Sequence, residues 1–453
     1  MRNNRRDFLK ISGVAGLGLA GTGILEGFAK GFSPLDLKDA SNSDNPYSFH
    51  INDAMKEAYH TALNILKPGK KQLEHGLELH RNSVVIDCYG FMPRAAVDGQ
   101  RITAAIESQA SPLEIQDMQE DMSMSRFVHH DREREEFMNA WKASGVTCVI
   151  QNAGEEGNQV SQLLKRLSRF TYSTDMLRDF VGKAVVPDDI VKAKYENRHV
   201  LYFTGNGVPM PQDWVSVEEE LRYIRVFFQL GIRMMHLTYN RRNMIGDGCG
   251  EKTDGGLSDF GRAVVKEMNR VGVIVDIAHS GWQTSLEAAQ LSERPMVASH
   301  TTAASLHHHI RAKPDHVIRA IADTGGYVGI CCIPRFLGAT GDIAALMNHI
   351  DYVAKKFGTD HVAIGTDVAY TSQYAAEENK KIISYRRPRT RWEALWPPDD
   401  FVETAQMRQS MEWTNWPLFT VAMVQKGYSD EDIQKILSGN VLRVASEALK
   451  GIA

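Results

Sequence analysis

From residue 80 onward, short runs rich in Val and Ile alternate with longer stretches of helical period, and the alternation repeats eight times. The runs cover residues 83–88, 145–152, 200–204, 232–239, 273–279, 295–300, 325–333 and 361–367. Nearly continuous apolar strands separated by helices are what parallel βαβ units require, because such strands are covered on both faces. Eight in succession predict an α/β fold of the (β/α)8 TIM barrel type, with an open doubly wound sheet as the alternative. Helices are expected over 215–230, 258–271 and 314–324. The first has a Glu-rich start, which suits the positive end of a helix dipole.

Barrel enzymes place their chemistry at the C-terminal ends of the strands. Here those ends carry Tyr89, Thr204 with Asn206, Tyr239, His279, His300 and Asp367. The runs Val273-Ile-Val-Asp-Ile-Ala-His279 and Pro295-Met-Val-Ala-Ser-His300 are consecutive, so their closing imidazoles come from neighbouring strands. Two imidazoles converging in this way are what a catalytic divalent metal needs. Read singly, each is more readily a satisfied histidine at a strand end than a ligand.

Two insertions break the rhythm. Residues 91–141 follow the first strand and are suited to a rim or lid, with the charged stretch 126–136 expected as a solvated helix face. Residues 369–413 follow the eighth strand and contain Tyr385-Arg-Arg-Pro-Arg-Thr-Arg-Trp392, whose arginines suit bidentate contact with a substrate carboxylate. The run His307-His-His309 is expected in a solvent-facing loop, and Ser429 is expected to cap a final helix ending near Gly439.

The N-terminus reads Asn4-Arg5-Arg6-Asp7-Phe8-Leu9-Lys10 before a Gly/Ala-rich apolar stretch, the form of a twin-arginine export signal. The expected organisation is a signal over 1–30, an extension over 31–80 and the barrel over 81–450, in a protein exported to the periplasm. The apolar stretch is shorter than the roughly 20 residues of a bilayer span, so no stable membrane span is expected. Formal net charge is −4, and because residues 1–30 are basic the remainder is more acidic still. That balance argues against nucleic acid as a partner; oligomeric state is left open. Of five cysteines, Cys148, Cys331 and Cys332 sit in apolar strand runs and read as small core residues.

The block from Gly256 to Ser280, which includes Leu257-Ser-Asp-Phe-Gly-Arg262 and Asp276-Ile-Ala-His279, followed by Ala298-Ser-His300, resembles the renal-type membrane dipeptidase family. Leu237-Thr-Tyr-Asn240, Gly365-Thr-Asp367, Asn415-Trp-Pro417 and the segment 427–443 extend the resemblance across roughly residues 80–450. It implies an amidohydrolase-type barrel, a two-zinc site and hydrolysis of dipeptides. It also assigns His279 and His300 to one zinc ion, Arg311 to the substrate carboxylate, and Asp367 to the substrate amine and the metals.

The chain departs from the family pattern elsewhere. After strand one the family has Asp-Gly-His-x-Asp, whereas this chain has Asp87-Cys-Tyr-Gly-Phe91, so Tyr89 and Phe91 stand at ligand positions. The family's bridging Glu after strand three has no counterpart in Phe203-Thr-Gly-Asn-Gly207, where Thr204 and Asn206 stand, and Tyr239 replaces a substrate-contacting His. Phenylalanine cannot ligate a cation, and an ordinary tyrosine keeps its proton to about pH 10. The expectation is therefore a single zinc ion held by His279, His300 and Asp367, with Asn206 as a weak additional donor. Asp367 then serves as base, or Tyr239 or His308 moves the proton if Asp367 is a ligand; Tyr239 also contacts substrate. The expected activity is cleavage of dipeptides or related amides. The alternatives are a barrel that binds a small carboxylate without turnover, and one repurposed for a non-peptide substrate.

Overall fold

The computed structural model describes residues 49–154, 158–384 and 395–452. The expected export signal and the arginine-rich run 385–392 lie outside the described residues. Nine parallel strands form one sheet: β1 (Ile86–Gly90), β2 (Cys148–Asn152), β3 (Val181–Ala184), β4 (His199–Gly205), β5 (Ile232–His236), β6 (Ile274–Asp276), β7 (Val297–Thr301), β8 (Tyr327–Ile330) and β9 (Val362–Ile364). Eight of them follow one another in chain order around a nearly closed barrel, as the eightfold alternation predicts.

The seam between β9 and β1 is held by polar contacts just past the end of β9. The Asp367 N–H donates to the Tyr89 carbonyl at 3.0 Å. The buried Asp87 carboxylate accepts the Thr366 N–H at 2.9 Å, the Thr366 hydroxyl at 2.5 Å and the Trp413 indole N–H at 3.1 Å. Burial pushes the Asp87 carboxyl up to about 7 against the pull of these bonds.

β3 is the strand that the sequence pattern does not announce, because Gly182 and Lys183 interrupt its apolar run. It pairs with the first half of β4, from Val181 opposite His199 to Ala184 opposite Tyr202. β5 takes the end of β4, from Phe203 opposite Ile232 to Gly205 opposite Met235. Lys183 donates to the Leu230 carbonyl at 2.6 Å and Arg233 to the Val185 carbonyl at 2.8 Å, stitching β3 to the start of β5.

Several strands stop short of the apolar runs that encode them. β6 ends at Asp276, whose Oδ1 accepts the Ala278 N–H at 2.9 Å and turns the chain, the local bond by which Asp ends regular structure. His279 therefore rides a turn beyond β6, whereas His300 lies within β7. Neighbouring strands approach the Ser299 carbonyl closely: a Cβ at Gly329 would sit 1.9 Å from that oxygen, so only glycine fits.

The expected helices appear as Val217–Gln229, Asp259–Val271 and Asp315–Asp323, the first two capped by Ser216 and Ser258. Helices Asp53–Leu66 and Lys70–Asn82 precede the barrel, and Gly76 lets the second lie against the Val421 backbone. The first insertion folds into helices Gly99–Glu107, Pro112–Ser125 and Asp131–Ser144. Its charged stretch is not simply a solvated face: Glu133 and Glu136 are 3% and 6% exposed. Glu133 accepts the Ala96 N–H at 3.1 Å, and Glu136 accepts from Asn52 at 2.7 Å and Gln373 at 2.9 Å, so these acids anchor three other segments. Ser429 caps Asp430–Gln434 as expected, but the chain continues through a π turn into Asn440–Leu449 instead of ending near Gly439. Cys148, Cys331 and Cys332 are buried free thiols. Among the described residues, no helix is long and apolar enough to cross a membrane.

Candidate active site

A cavity of about 630 Å³ opens at the C-terminal ends of the strands. Tyr89, Phe91, Asn206, Tyr239, His279 and Asp367 all line it, so most of the residues singled out at strand ends share one space. Glu120, Ser123 and Met124 of the first insertion and Trp396 and Glu403 of the second contribute walls. The lining mixes cations and anions, with Arg94, Arg166 and Arg335 beside Glu120, Asp367 and Glu403. Arg166 is held by Glu120 at 2.7 Å and Arg335 by Asp399 at 3.1 Å.

His279 and His300 meet at the base of this arrangement, their Nε2 atoms 2.9 Å apart. Each ring is fixed from its other nitrogen. His279 Nδ1–H donates to the Asn240 side-chain oxygen at 2.7 Å, and His300 Nδ1 lies 2.8 Å from the Ser299 hydroxyl. Each also carries a tyrosine on its face. Tyr239 stacks on His279 at 4.0 Å between centroids, and Tyr89 on His300 at 3.7 Å. Burial, reinforced by the Arg311 charge, holds both imidazoles well below the usual histidine range, which favours the unprotonated form that ligates a cation.

The positions at which the family pattern departs have become bonded to each other. The Tyr89 hydroxyl donates to the Asn206 side-chain oxygen at 2.5 Å, and the Phe91 ring packs edge-on against Tyr89. The Thr204 hydroxyl faces away from this pair, donating to the Met234 carbonyl at 3.0 Å.

Arg311 is fully buried and absent from the cavity lining. Its guanidinium donates to the Ala278 carbonyl and, at 2.9 Å, to the His300 carbonyl, tying the two histidine-bearing segments together from behind. Lys313, also buried, donates to the Ser280 carbonyl at 2.5 Å, and burial pushes its ammonium down to about 7. His308 is exposed and lines a separate pocket with Trp282 and Cys249, away from Asp367.

His236, which the sequence pattern leaves as a strand residue of β5, is the member that sequence reasoning missed. A ring nitrogen from each of His236, His279 and His300 lies within 4.8 Å of the other two, and all three residues are buried. Asp367 does not join this group, although it shares the cavity with His279. Its backbone is left-handed at φ 57°. The donor set fits a divalent metal: neutral imidazoles are zinc ligands, and a tetrahedral ion with bonds of about 2.0–2.1 Å spaces its nitrogens by about 3.3 Å, a few tenths wider than the present His279–His300 approach.

A parallel barrel with clustered histidines at its strand ends defines a protein of the amidohydrolase class. Over residues 77–383 the chain matches the membrane dipeptidase family, peptidase family M19, and it belongs to that metallopeptidase family. A solved amidohydrolase from Pseudomonas aeruginosa is 25% identical, with TM-score 0.60, covering 82% of this chain and 98% of that one. The fold is shared with the probable dipeptidase PvdM of Pseudomonas aeruginosa, at 18% identity and TM-score 0.58 over 84% of this chain and 99% of that one. It is shared too with a metallopeptidase from Rhodobacter sphaeroides liganded with a phosphinate mimic of the dipeptide L-Ala-D-Ala, at 15% identity and TM-score 0.56 over 81% and 99%. Dipeptidase tcpJ of Claviceps purpurea is 28% identical over 229 residues, 49% of this chain and 46% of that protein. The match thus spans about half the length of that relative.

Proposed function

We propose that this protein is an exported metallohydrolase that cleaves dipeptides or related small amides at an altered, single-metal site. The observation that carries this reading is the pair of imidazoles of His279 and His300 meeting at 2.9 Å beside the cavity, while Tyr89 and Asn206 bond to each other where further ligands would stand. Family membership supports metal dependence. The twin-arginine head supports export.

A divalent ion held by His279 and His300 would supply Lewis-acid polarisation of the scissile carbonyl and a more acidic water. The remaining work falls to the chain's own groups. Asp367 takes the proton from the attacking water and returns it to the leaving amine as the C–N bond breaks, yielding a carboxylic acid and an amine. Tyr239 holds the His279 ring in place by stacking and forms part of the substrate wall. The mixed-sign lining suits a small zwitterion, with a carboxylate near Arg94 or Arg335 and an amine near Glu403 or Asp367. A cavity of about 630 Å³ falls within the usual range for small-molecule sites.

The test is turnover of a dipeptide panel by the full chain, alongside metal content, for the natural protein and for His279→Ala and His300→Ala. Loss of both metal and turnover in the two variants is the expected result. Full activity in both would remove the histidines from the mechanism. Stoichiometric metal with no turnover of any dipeptide would favour a barrel that binds without catalysing, or one that serves a non-peptide substrate.

A further inference from the structure

We infer that His236 is the third ligand of a single tris-imidazole metal centre built from His236, His279 and His300, an inference that rests on the metal-dependent reading above. Three observations converge on it. Ring nitrogens from the three residues lie mutually within 4.8 Å in a buried setting. The His236 ring stands 5.3 Å from both partner rings and nearly perpendicular to each, at 85° to His279 and 86° to His300.

The third observation is electronic. His236 Nδ1 lies 3.0 Å from the Gly205 carbonyl and donates to it, which leaves Nε2 as the ring atom for a metal ion. The buried Asp276 Oδ2 lies 2.9 Å from that Nε2, the two facing each other as a close pair without good hydrogen-bond geometry. The other oxygen of Asp276 is already engaged by the Ala278 and Ser299 N–H groups at 2.9 and 3.1 Å. A buried carboxylate oxygen so placed favours positive charge beside it, which a bound cation supplies. A metal ion on Nε2 would lie beside the Asp276 carboxylate, whose negative charge would favour a cation there.

Three imidazole donors without a thiolate select a borderline divalent ion such as Zn²⁺, and a site of three histidines keeps a fourth position for water or substrate. His279 is the member that lines the substrate cavity. In this arrangement Asp367 stands outside the ligand set and keeps the proton-transfer role.

The experiment uses the full chain, stripped with a chelator and reloaded with Zn²⁺ or Co²⁺. X-ray absorption of the Zn²⁺ form should count three imidazoles, and the Co²⁺ form should bind one ion per chain with visible d–d bands. His236→Gln, which keeps a donor for the Gly205 carbonyl, should weaken Co²⁺ binding by about 100-fold or more and alter the spectrum. Asp276→Asn should keep the spectrum and weaken binding by about 10- to 100-fold. A count of two imidazoles, or unchanged Co²⁺ affinity and spectrum in His236→Gln, overturns the assignment while leaving metal dependence intact. A natural chain that binds no metal overturns the metal-dependent reading itself. Should His236→Gln fail to fold, the imidazole count on the natural chain still decides.

Discussion

Tyr89 and Asn206 join the ends of β1 and β4 through a 2.5 Å hydrogen bond between their side chains. The same phenol ring lies on the face of His300, so one side chain both closes a gap between strands and braces a candidate ligand. Tyr89→Phe keeps the ring and removes the bond. It should cost about 1 kcal/mol of stability, the usual net worth of a neutral hydrogen bond, and leave metal content unchanged. Urea unfolding and elemental analysis of the purified variant check both halves; a fall in metal content would mean that the hydroxyl itself binds the ion.

Reinstalling the side chains of the family pattern is the converse test. Tyr89→His with Phe91→Asp supplies an imidazole and a carboxylate beside the existing pair. Metal content should rise from one ion toward two per chain, read by elemental analysis after reloading. Content that stays at one would show that the missing bridging carboxylate after β4 is indispensable to a second ion.

Arg311 binds the Ala278 and His300 carbonyls from within the core. Arg311→Ala strips the donors from two buried acceptors, and unfolding in urea should show a loss of about 3 kcal/mol, at the upper end for a buried acceptor left unpaired. Unchanged stability with a raised KM for dipeptides would instead favour direct contact with a substrate carboxylate.

His80 offers a pH signature remote from the cavity. Its Nε2–H donates to the Ser144 carbonyl at 2.8 Å, its Nδ1 pairs with the Thr420 hydroxyl at 2.8 Å, and burial pushes it down to about 3. Unfolded, it titrates near 6.5, so between these values the unfolded chain holds more protons. Its contribution to stability is complete above about pH 6.5 and is lost as pH falls toward 3. Melting temperature against pH should therefore fall through this window in the natural chain and fall less steeply in His80→Gln; parallel curves would exclude His80 as the source.

Much of this architecture was legible in the residues alone. Eight Val/Ile runs announced eight barrel strands because a parallel strand buried on both faces must be apolar throughout. β3 escaped because a glycine and a lysine break its run, and its partner is only half of β4. His279 and His300 were visible because each closes an apolar run. His236 was not, since it ends Met234-Met-His236, within a run that continues to Tyr239. Its meaning depends on Gly205 and Asp276, one from a neighbouring strand on each side, and such placement is a property of the closed barrel. Arg311 was singled out by the family resemblance, but the direction of its guanidinium depends on carbonyls of two other segments.

Asn240 and Asp367 both adopt left-handed backbone, at φ 53° and 57°. One orients His279 and the other carries the carboxylate of the cavity. Asn and Asp enter this conformation at less cost than other residues with a side chain, and only glycine enters it freely. Asn, Asp and Gly are thus the residues that either position accepts at least strain. Exchange between Asn and Asp changes charge without disturbing the turn, so the backbone leaves open a one-step route by which this family member could retune its site while keeping its shape.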